Sequence, residues 1–80
     1  MTAIAPLPLL PPGLPARVHE VRGPQETKGR LSALGLLPEA EVTIVSAGHG
    51  SLIVSVAGSR YALSRGVAMQ VLVSGGEPSG

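Results

Sequence analysis

The amino-acid sequence predicts one small β-barrel of about five short strands, with a helix after the first strand and a helical turn before the last. Hydrophobic residues make up 44% of the 80 positions and charged residues only 14%, a composition that disordered chains lack. Short aliphatic runs alternate with Gly and Pro, which is typical of strands joined by turns. A short aliphatic sheet is most easily stabilised by curling into a barrel, because closure hides its edges.

The segment before the first strand is rich in proline and leucine. It contains two P-x-x-P spacings, Pro8–Pro11 and Pro12–Pro15. Such spacings are typical of ligands for proline-binding domains. Exposed leucines are costly in a chain of this size, so we favour the alternative that this arm lies over the barrel and buries Leu7, Leu9 or Leu10. We expect residues 1–6 to form a flexible N-terminus.

The first predicted strand, residues 17–22, contains Val18 and Val21 at an odd spacing. A regular strand would place these valines on opposite faces, so we expect a bulge or a strand covered on both faces. His19 falls on the face of Val21.

The predicted helix covers residues 25–34 and follows Gly23-Pro24. Proline is favoured in a first helical turn, where its missing N–H costs nothing. Gly35 is well placed as the left-handed residue that ends the helix, and Pro38 prevents its continuation.

Three further strands are predicted from alternating residues as a meander: residues 41–46, 52–56 and 60–63. Ser64 is suited to cap a helical turn that runs to Met69, and residues 71–73 form the last strand. Residues 74–80 contain no apolar residue, and we expect a disordered tail there. Apolar burial and ordering entropy nearly cancel at this size, so we expect marginal stability or weak self-association.

The composition excludes several classes of function. Tyr61 is the one aromatic residue, whereas polyproline-binding grooves and single-strand nucleic-acid binders depend on aromatic side chains. The net charge is +1 with dispersed basic residues, which is unlike the basic face of a nucleic-acid binder. Cysteine is absent, which excludes disulfides and thiolate chemistry. No apolar run reaches the roughly 20 residues of a membrane helix and no signal peptide is recognisable, so we expect a cytoplasmic location without membrane insertion.

Four stretches, taken in their order along the chain, are informative about the protein family. They are Leu7-Pro-Leu-Leu-Pro-Pro-Gly13, Ala16-Arg17-Val18, Leu31-Ser-Ala-Leu-Gly-Leu-Leu-Pro38 and Tyr61-Ala-Leu-Ser-Arg65. Together they resemble the FeoA family of bacterial ferrous-iron transport proteins, and the third is similar to its "L-x-x-L-G-L-x-P" signature. The resemblance implies an SH3-like barrel domain over residues 7–73. It also implies a cytoplasmic accessory to the membrane iron transporter FeoB.

The sequence departs from this family at one turn. Family members commonly have Pro-Gly where this chain has Pro38-Glu39. A type II turn needs a positive φ at its third position, which glutamate disfavours. We expect either a type I turn or a strained turn whose cost is offset elsewhere.

Catalytic patterns are missing from the sequence. No G-x-S-x-G nucleophile elbow occurs, and the glycine-rich stretch from Gly48 to Ser51 lacks the lysine of a phosphate loop. His19 and Glu20 are adjacent, so in a regular strand they point to opposite faces, and His49 lies in a turn. These histidines are only weak candidates for metal binding, and we expect no catalytic residue, cofactor or metal site.

The remaining candidate is an aliphatic partner-binding surface at Leu36, Leu37, Pro38 and Met69. Successive residues cannot all face inward, so we expect two of the leucines at positions 34, 36 and 37 in the core and either Leu36 or Leu37 exposed. An exposed aliphatic group in so small a domain is typical of a contact surface, and methionine adapts easily to a partner.

The sequence thus predicts a non-catalytic module that binds a FeoB-type transporter and modulates it. One alternative is a metal-responsive regulatory domain related to iron-dependent repressors. It would require a DNA-binding helix-turn-helix, for which we expect no room in 80 residues. Another alternative is a stimulator of the transporter's GTPase that uses Arg60 or Arg65 as an arginine finger.

Overall fold

Residues 4–75 are described by the computed structural model, and strands dominate them. The strands are β1 (Ile4–Pro6), β2 (Pro15–Val21), β3 (Glu41–Ala47), β4 (Ser51–Val56), β5 (Ser59–Ser64) and β6 (Val71–Gly75). The helices are α1 (Gln25–Ala33), the four-residue α2 (Arg65–Ala68) and a 3₁₀ helix (Leu7–Leu9) that follows β1.

All six strands form one antiparallel sheet in the order β1-β6-β2-β3-β4-β5. β1 and β5 are the two edges, and within residues 4–75 no strand pairing joins them, so the sheet is open. The predicted closed barrel of about five strands is therefore wrong in its closure and in its strand count. The helix after β2 and the helical turn before β6 occur as predicted.

β1 is the strand that the sequence did not predict. Ile4 pairs with Ser74 and Pro6 with Leu72. Proline discourages strand assignment, but an edge strand tolerates it because the missing N–H can face away from the ladder. Residues 4–6 are thus a strand rather than part of a flexible N-terminus, and Ser74 and Gly75 belong to β6 rather than to a tail. The other residues of those two predicted segments lie outside the described residues.

Helical turns occupy the space between the two sheet edges. α2 contacts both β5 and the 3₁₀ helix that follows β1. Leu7 of the 3₁₀ helix and Ala68 of α2 are both completely buried. The arm therefore covers the sheet as predicted, with Leu7 in the core and Leu9 outside. Pro8 lies in the 3₁₀ helix, which is not the extended conformation of a P-x-x-P ligand.

The core is aliphatic, and no polar side chain of the described residues is buried in it. Every strand except β1 contributes to it, as do both α-helices and the segment after α1. Its buried members are Leu7, Ala16, Val18, Leu31, Leu36, Val42, Ile44, Leu52, Val54, Val56, Leu63, Ala68, Val71 and Val73.

β2 contains the predicted bulge. Its register against β6 shifts between Val18 and Glu20. Val18 is buried and Val21 is half-buried. The extra residue explains how two valines at an odd spacing both approach the core side.

The end of α1 follows the pattern that the sequence predicts. Gly35 has φ +99°, and its N–H donates to the carbonyl of Ser32 at 3.0 Å. The N–H of Leu36 donates to the carbonyl of Leu31, also at 3.0 Å. These two bonds define a Schellman motif, in which an apolar contact across the helix end commonly accompanies the bonds. Leu31 and Leu36 are both buried, so this helix end is anchored in the core.

The turn after α1 is of type II, and it is strained. The N–H of Ala40 donates to the carbonyl of Leu37 at 2.9 Å, and Glu39 has φ +76°. Two further hydrogen bonds attach the turn to β2: Glu39 N–H to the Val18 carbonyl and Val18 N–H to the Ala40 carbonyl, each 2.8 Å. These bonds fix the turn although glutamate disfavours a positive φ.

We expect Glu39→Gly to raise the free energy of unfolding by about 0.5–1 kcal/mol. A left-handed backbone costs an L-residue about 1–2 kcal/mol, and the entropy of a more flexible unfolded chain offsets part of that gain. The substitution also removes the Arg17–Glu39 ion pair at 3.9 Å, which is exposed and therefore contributes little. Thermal unfolding of Glu39→Gly and Glu39→Ala separates the two effects. A glycine variant no more stable than the alanine variant would contradict strain at this position.

Candidate partner-binding surface

The turn after α1 separates two leucines that are neighbours in sequence. Leu37 is 48% exposed and Pro38 is also exposed, whereas Leu36 is 1% exposed. Leu36 points inward because it follows Gly35 in the Schellman motif and forms the apolar side of that helix end. The prediction that Leu36 or Leu37 is exposed is therefore confirmed for Leu37. Leu36 as a partner contact is wrong, since its side chain lies in the core.

Met69 lies on a separate segment, directly after α2. Its side chain is 42% exposed, and its backbone N–H donates to the carbonyl of Arg65 at 2.9 Å. The hydroxyl of Ser64 accepts a hydrogen bond from the N–H of Val67 at 3.2 Å, which is the predicted cap. The structure thus holds Leu37 and Pro38 together in one turn and presents Met69 from a different one.

A shallow groove of about 420 Å³ borders the turn that holds Leu37. Gly35, which precedes the turn, and Ala40, its last residue, form one wall. The β4–β5 hairpin and two outward residues of the sheet form the rest: Glu41, Thr43, Ser55, Val56, Ala57 and Gly58. An exposed aliphatic side chain beside a groove is a suitable element of a protein contact.

Other aliphatic residues that the sequence did not predict as contacts are also exposed. Leu9 is 63% exposed, and Leu14 and Val45 are also exposed. Leu14 precedes Pro15, which pairs with Thr43, and Val45 lies where the β3–β4 register shifts. The apolar run in β3 is a signal for Val45, because a strand that is apolar on both faces exposes one of them unless it is covered.

His19 and Glu20 come closer than the sequence predicts. Nε2 of His19 lies 4.0 Å from one carboxylate oxygen of Glu20, and the other oxygen accepts a hydrogen bond from Nε of Arg22 at 3.3 Å. The inference that adjacent strand residues point apart fails here because the bulge in β2 interrupts the alternation. All three side chains are substantially exposed.

The other candidate polar residues are dispersed. His49 is exposed in the turn between β3 and β4. Arg60 lies on β5 and Arg65 is the first residue of α2, and both are exposed. Within residues 4–75, no group of three or more His, Cys, Asp or Glu side chains is arranged to hold a metal ion.

A second concavity lies between α1, β5 and α2. Its volume is about 300 Å³. α1 and the following Leu34 form one wall, while the residues of β5 and α2 form the other. The lining residues are Thr27, Arg30, Leu31, Leu34, Ala62, Leu63, Ser64 and Val67. We call it the α1–β5 cleft.

The family model for the FeoA domain matches residues 5–75, which is nearly the whole chain and includes all the residues described above except Ile4. The chain belongs to the FeoA domain family. This is a family of small SH3-like domains in ferrous iron transport, so the resemblance in the sequence and the SH3-like kind of fold are confirmed.

Solved FeoA structures agree with this membership. A crystal structure described as the iron uptake regulatory protein FeoA is 32% identical and superposes with a TM-score of 0.81, over 89% of this chain and 96% of that one. FeoA of Stenotrophomonas maltophilia, in complex with zinc, is also 32% identical, with a TM-score of 0.75 over 91% of this chain and 88% of that one. That protein is described as a prokaryotic SH3 domain protein and a candidate activating factor of ferrous iron transport.

The fold also occurs as part of a longer chain. T. acidophilum IdeR superposes with a TM-score of 0.81 over 90% of this chain but only 34% of its own, at 23% identity. That likeness shows a shared fold. No protein of curated function matches the chain by sequence. Neither α1 nor α2 is long and apolar enough to cross a membrane, and no such helix occurs elsewhere in residues 4–75.

Proposed function

We propose that this FeoA chain is a non-catalytic cytoplasmic accessory of bacterial ferrous iron uptake that binds a FeoB-type transporter through Leu37 and Pro38. Membership of the FeoA family supports the link with ferrous iron transport. The proposal depends above all on one observation: a half-exposed leucine stands on a turn whose backbone is fixed by hydrogen bonds to β2.

A fixed turn suits a contact surface for an energetic reason. A side chain that is already held in its bound position loses little conformational freedom on association, so more of its apolar burial appears as affinity. The strained backbone at Glu39 is consistent with this view, since strain of this kind tends to persist at functional positions. Met69 is the proposed second contact, from the segment after α2. The partner's face would accordingly be apolar and would carry few charges.

We expect Leu37→Ser to weaken binding to the transporter at least about tenfold, which corresponds to about 1.4 kcal/mol. Leu9→Ser is the matched control, because Leu9 is also exposed but lies on the arm. Calorimetry with the purified transporter and with its isolated cytoplasmic domain, in each nucleotide state, measures both variants. Because both side chains are exposed, neither substitution should move the melting temperature by more than a few degrees.

Two binding results would count against the proposal. One is a wild-type chain that binds the transporter in no nucleotide state. The other is an equal loss of affinity in the Leu37 and Leu9 variants, which would place the contact elsewhere. Normal ferrous iron uptake by a strain that lacks this chain would contradict its proposed role in uptake.

A further inference from the structure

β5 presents a free edge of the sheet. Among residues 4–75 it pairs only with β4, through a two-residue turn at Ala57 and Gly58 that joins Val56 to Ser59. Residues that flank such a turn form a hydrogen-bonded pair, and bonded and non-bonded pairs then alternate along the hairpin. The bond from Arg65 N–H to the Gly50 carbonyl, 3.0 Å, continues the same alternation beyond β5.

This alternation fixes which backbone groups of β5 face outward. Ser59, Tyr61 and Leu63 direct their N–H and C=O groups to β4, whereas Arg60 and Ala62 direct theirs away from it. The N–H of Ser64 also faces outward, while its carbonyl accepts the first hydrogen bond of α2. An edge of this kind is a template for a further strand. Ala62 and Ser64 also line the α1–β5 cleft, so the outward backbone groups border an open space.

The two edges of the sheet are not equally open. β1 has three residues and includes Pro6, and short, proline-containing edges resist strand addition. β5 has six residues and no proline. A strand that extends this sheet is therefore expected at β5.

The charge around the cleft is unbalanced. Arg17 and Arg22 each lie within 4.0 Å of a glutamate, at 3.9 and 3.3 Å. The four other basic residues of the chain make no such pair among the described residues, and they all belong to the elements that border the cleft: Lys28, Arg30, Arg60 and Arg65. With Glu26 as the single carboxylate on α1, β5 and α2, these elements carry a net charge of +3. The rest of residues 4–75 carries a net charge of −1.

We propose that the β5 edge binds an extended acidic segment of a partner protein, which adds as a strand beside β5. The partner's main chain would pair with the outward groups of Arg60 and Ala62 and with the N–H of Ser64, a mode in which main-chain bonds give affinity and side chains give specificity. Its carboxylates would face the unpaired basic residues, and one of its apolar side chains would enter the cleft beside Leu31 and Leu34. The site uses different elements from the turn at Leu37 and stands independently of the proposed function.

A synthetic peptide tests the proposal directly. The probe is a capped octapeptide of alternating valine and glutamate, and the control is the same peptide with lysine in place of glutamate. Both are titrated into the ¹⁵N-labelled chain. The acidic peptide should shift the NMR signals of the Arg60, Ala62 and Ser64 amides and slow their hydrogen exchange. It should bind at least tenfold more tightly than the lysine peptide, and its affinity should fall as the salt concentration is raised. No shift at millimolar peptide, equal binding of both peptides, or shifts centred on β1 would overturn it.

Ala62→Pro removes one outward N–H while leaving the β4 ladder intact, so we expect it to abolish peptide binding. Ala62→Val keeps the N–H and should bind like the wild type. Where the proline variant does not fold, Arg30→Glu serves instead, because Arg30 is exposed. Reversing the charge at this position should lower the affinity for the acidic peptide at least tenfold. Undiminished binding by a folded Ala62→Pro chain, or by Arg30→Glu, would contradict strand addition at this edge.

Discussion

Leu7→Ala is expected to lower the free energy of unfolding by about 2–5 kcal/mol, the usual cost of truncating a buried leucine. Leu7 is 0% exposed, and it lies in the 3₁₀ helix that contacts α2. Its side chain enters the core between the two edges of the open sheet, where no strand covers the core. The stability of a domain this small is only a few kcal/mol, so the variant should be close to unfolded at room temperature.

Leu9→Ala is the matched control, because it is two residues away on the same 3₁₀ helix but 63% exposed. We expect its melting temperature to stay within a few degrees of the wild type, while that of Leu7→Ala falls by at least about 8 °C. Thermal unfolding followed by circular dichroism measures both. Similar melting temperatures for the two variants would mean that the arm does not complete the core.

Gly35→Ala is expected to cost about 1–3 kcal/mol for two reasons. An alanine at φ +99° is strained, because the left-handed region costs L-residues about 1–2 kcal/mol. Its Cβ would also lie 3.2 Å from Cγ1 of Val56, which is a core residue with little room to move. The Schellman motif would be weakened, and with it the geometry that buries Leu36 and exposes Leu37.

Gly29→Ala is expected to change the free energy of unfolding in the opposite direction to Gly35→Ala. Gly29 lies within α1, and a Cβ there meets nothing within 4 Å. Replacing a helical glycine by alanine should therefore raise the free energy of unfolding by up to about 1 kcal/mol. Urea denaturation of the two variants compares them directly. If both substitutions changed the free energy of unfolding in the same direction, the left-handed backbone at Gly35 would not be what makes alanine costly there.

Local patterns in the sequence predicted most of the secondary structure. The α1 helix ends at Gly35 because few other residues accept the left-handed conformation, and the Ser64 cap needs only a hydroxyl three residues before an N–H. The bulge in β2 is one of the two alternatives, with a strand covered on both faces, that the odd spacing of Val18 and Val21 left open. Each of these features depends on residues close in sequence.

The candidate site was predicted only in part. That one of Leu36 and Leu37 would be exposed followed from their adjacency, but the Schellman motif decided which one. Opposite faces for His19 and Glu20 were expected from strand alternation, which the bulge interrupts. The four unpaired basic residues are dispersed in sequence, and only the structure shows that the elements which carry them, α1, β5 and α2, border one cleft.

By itself, the sequence determined an aliphatic SH3-like domain of the FeoA family, its turns and helix ends, and the exclusion of aromatic recognition surfaces. Only the tertiary structure decided that residues 4–6 form a strand, that the sheet stays open, and that β5 is the free edge. The reason is physical: turns and caps are governed by local backbone energetics, whereas strand pairing and closure depend on which distant segments gain most by burying their side chains together. Pro6 is tolerated in β1 only because that strand lies at an edge, and Leu7 and Ala68 fill the place where closure was expected.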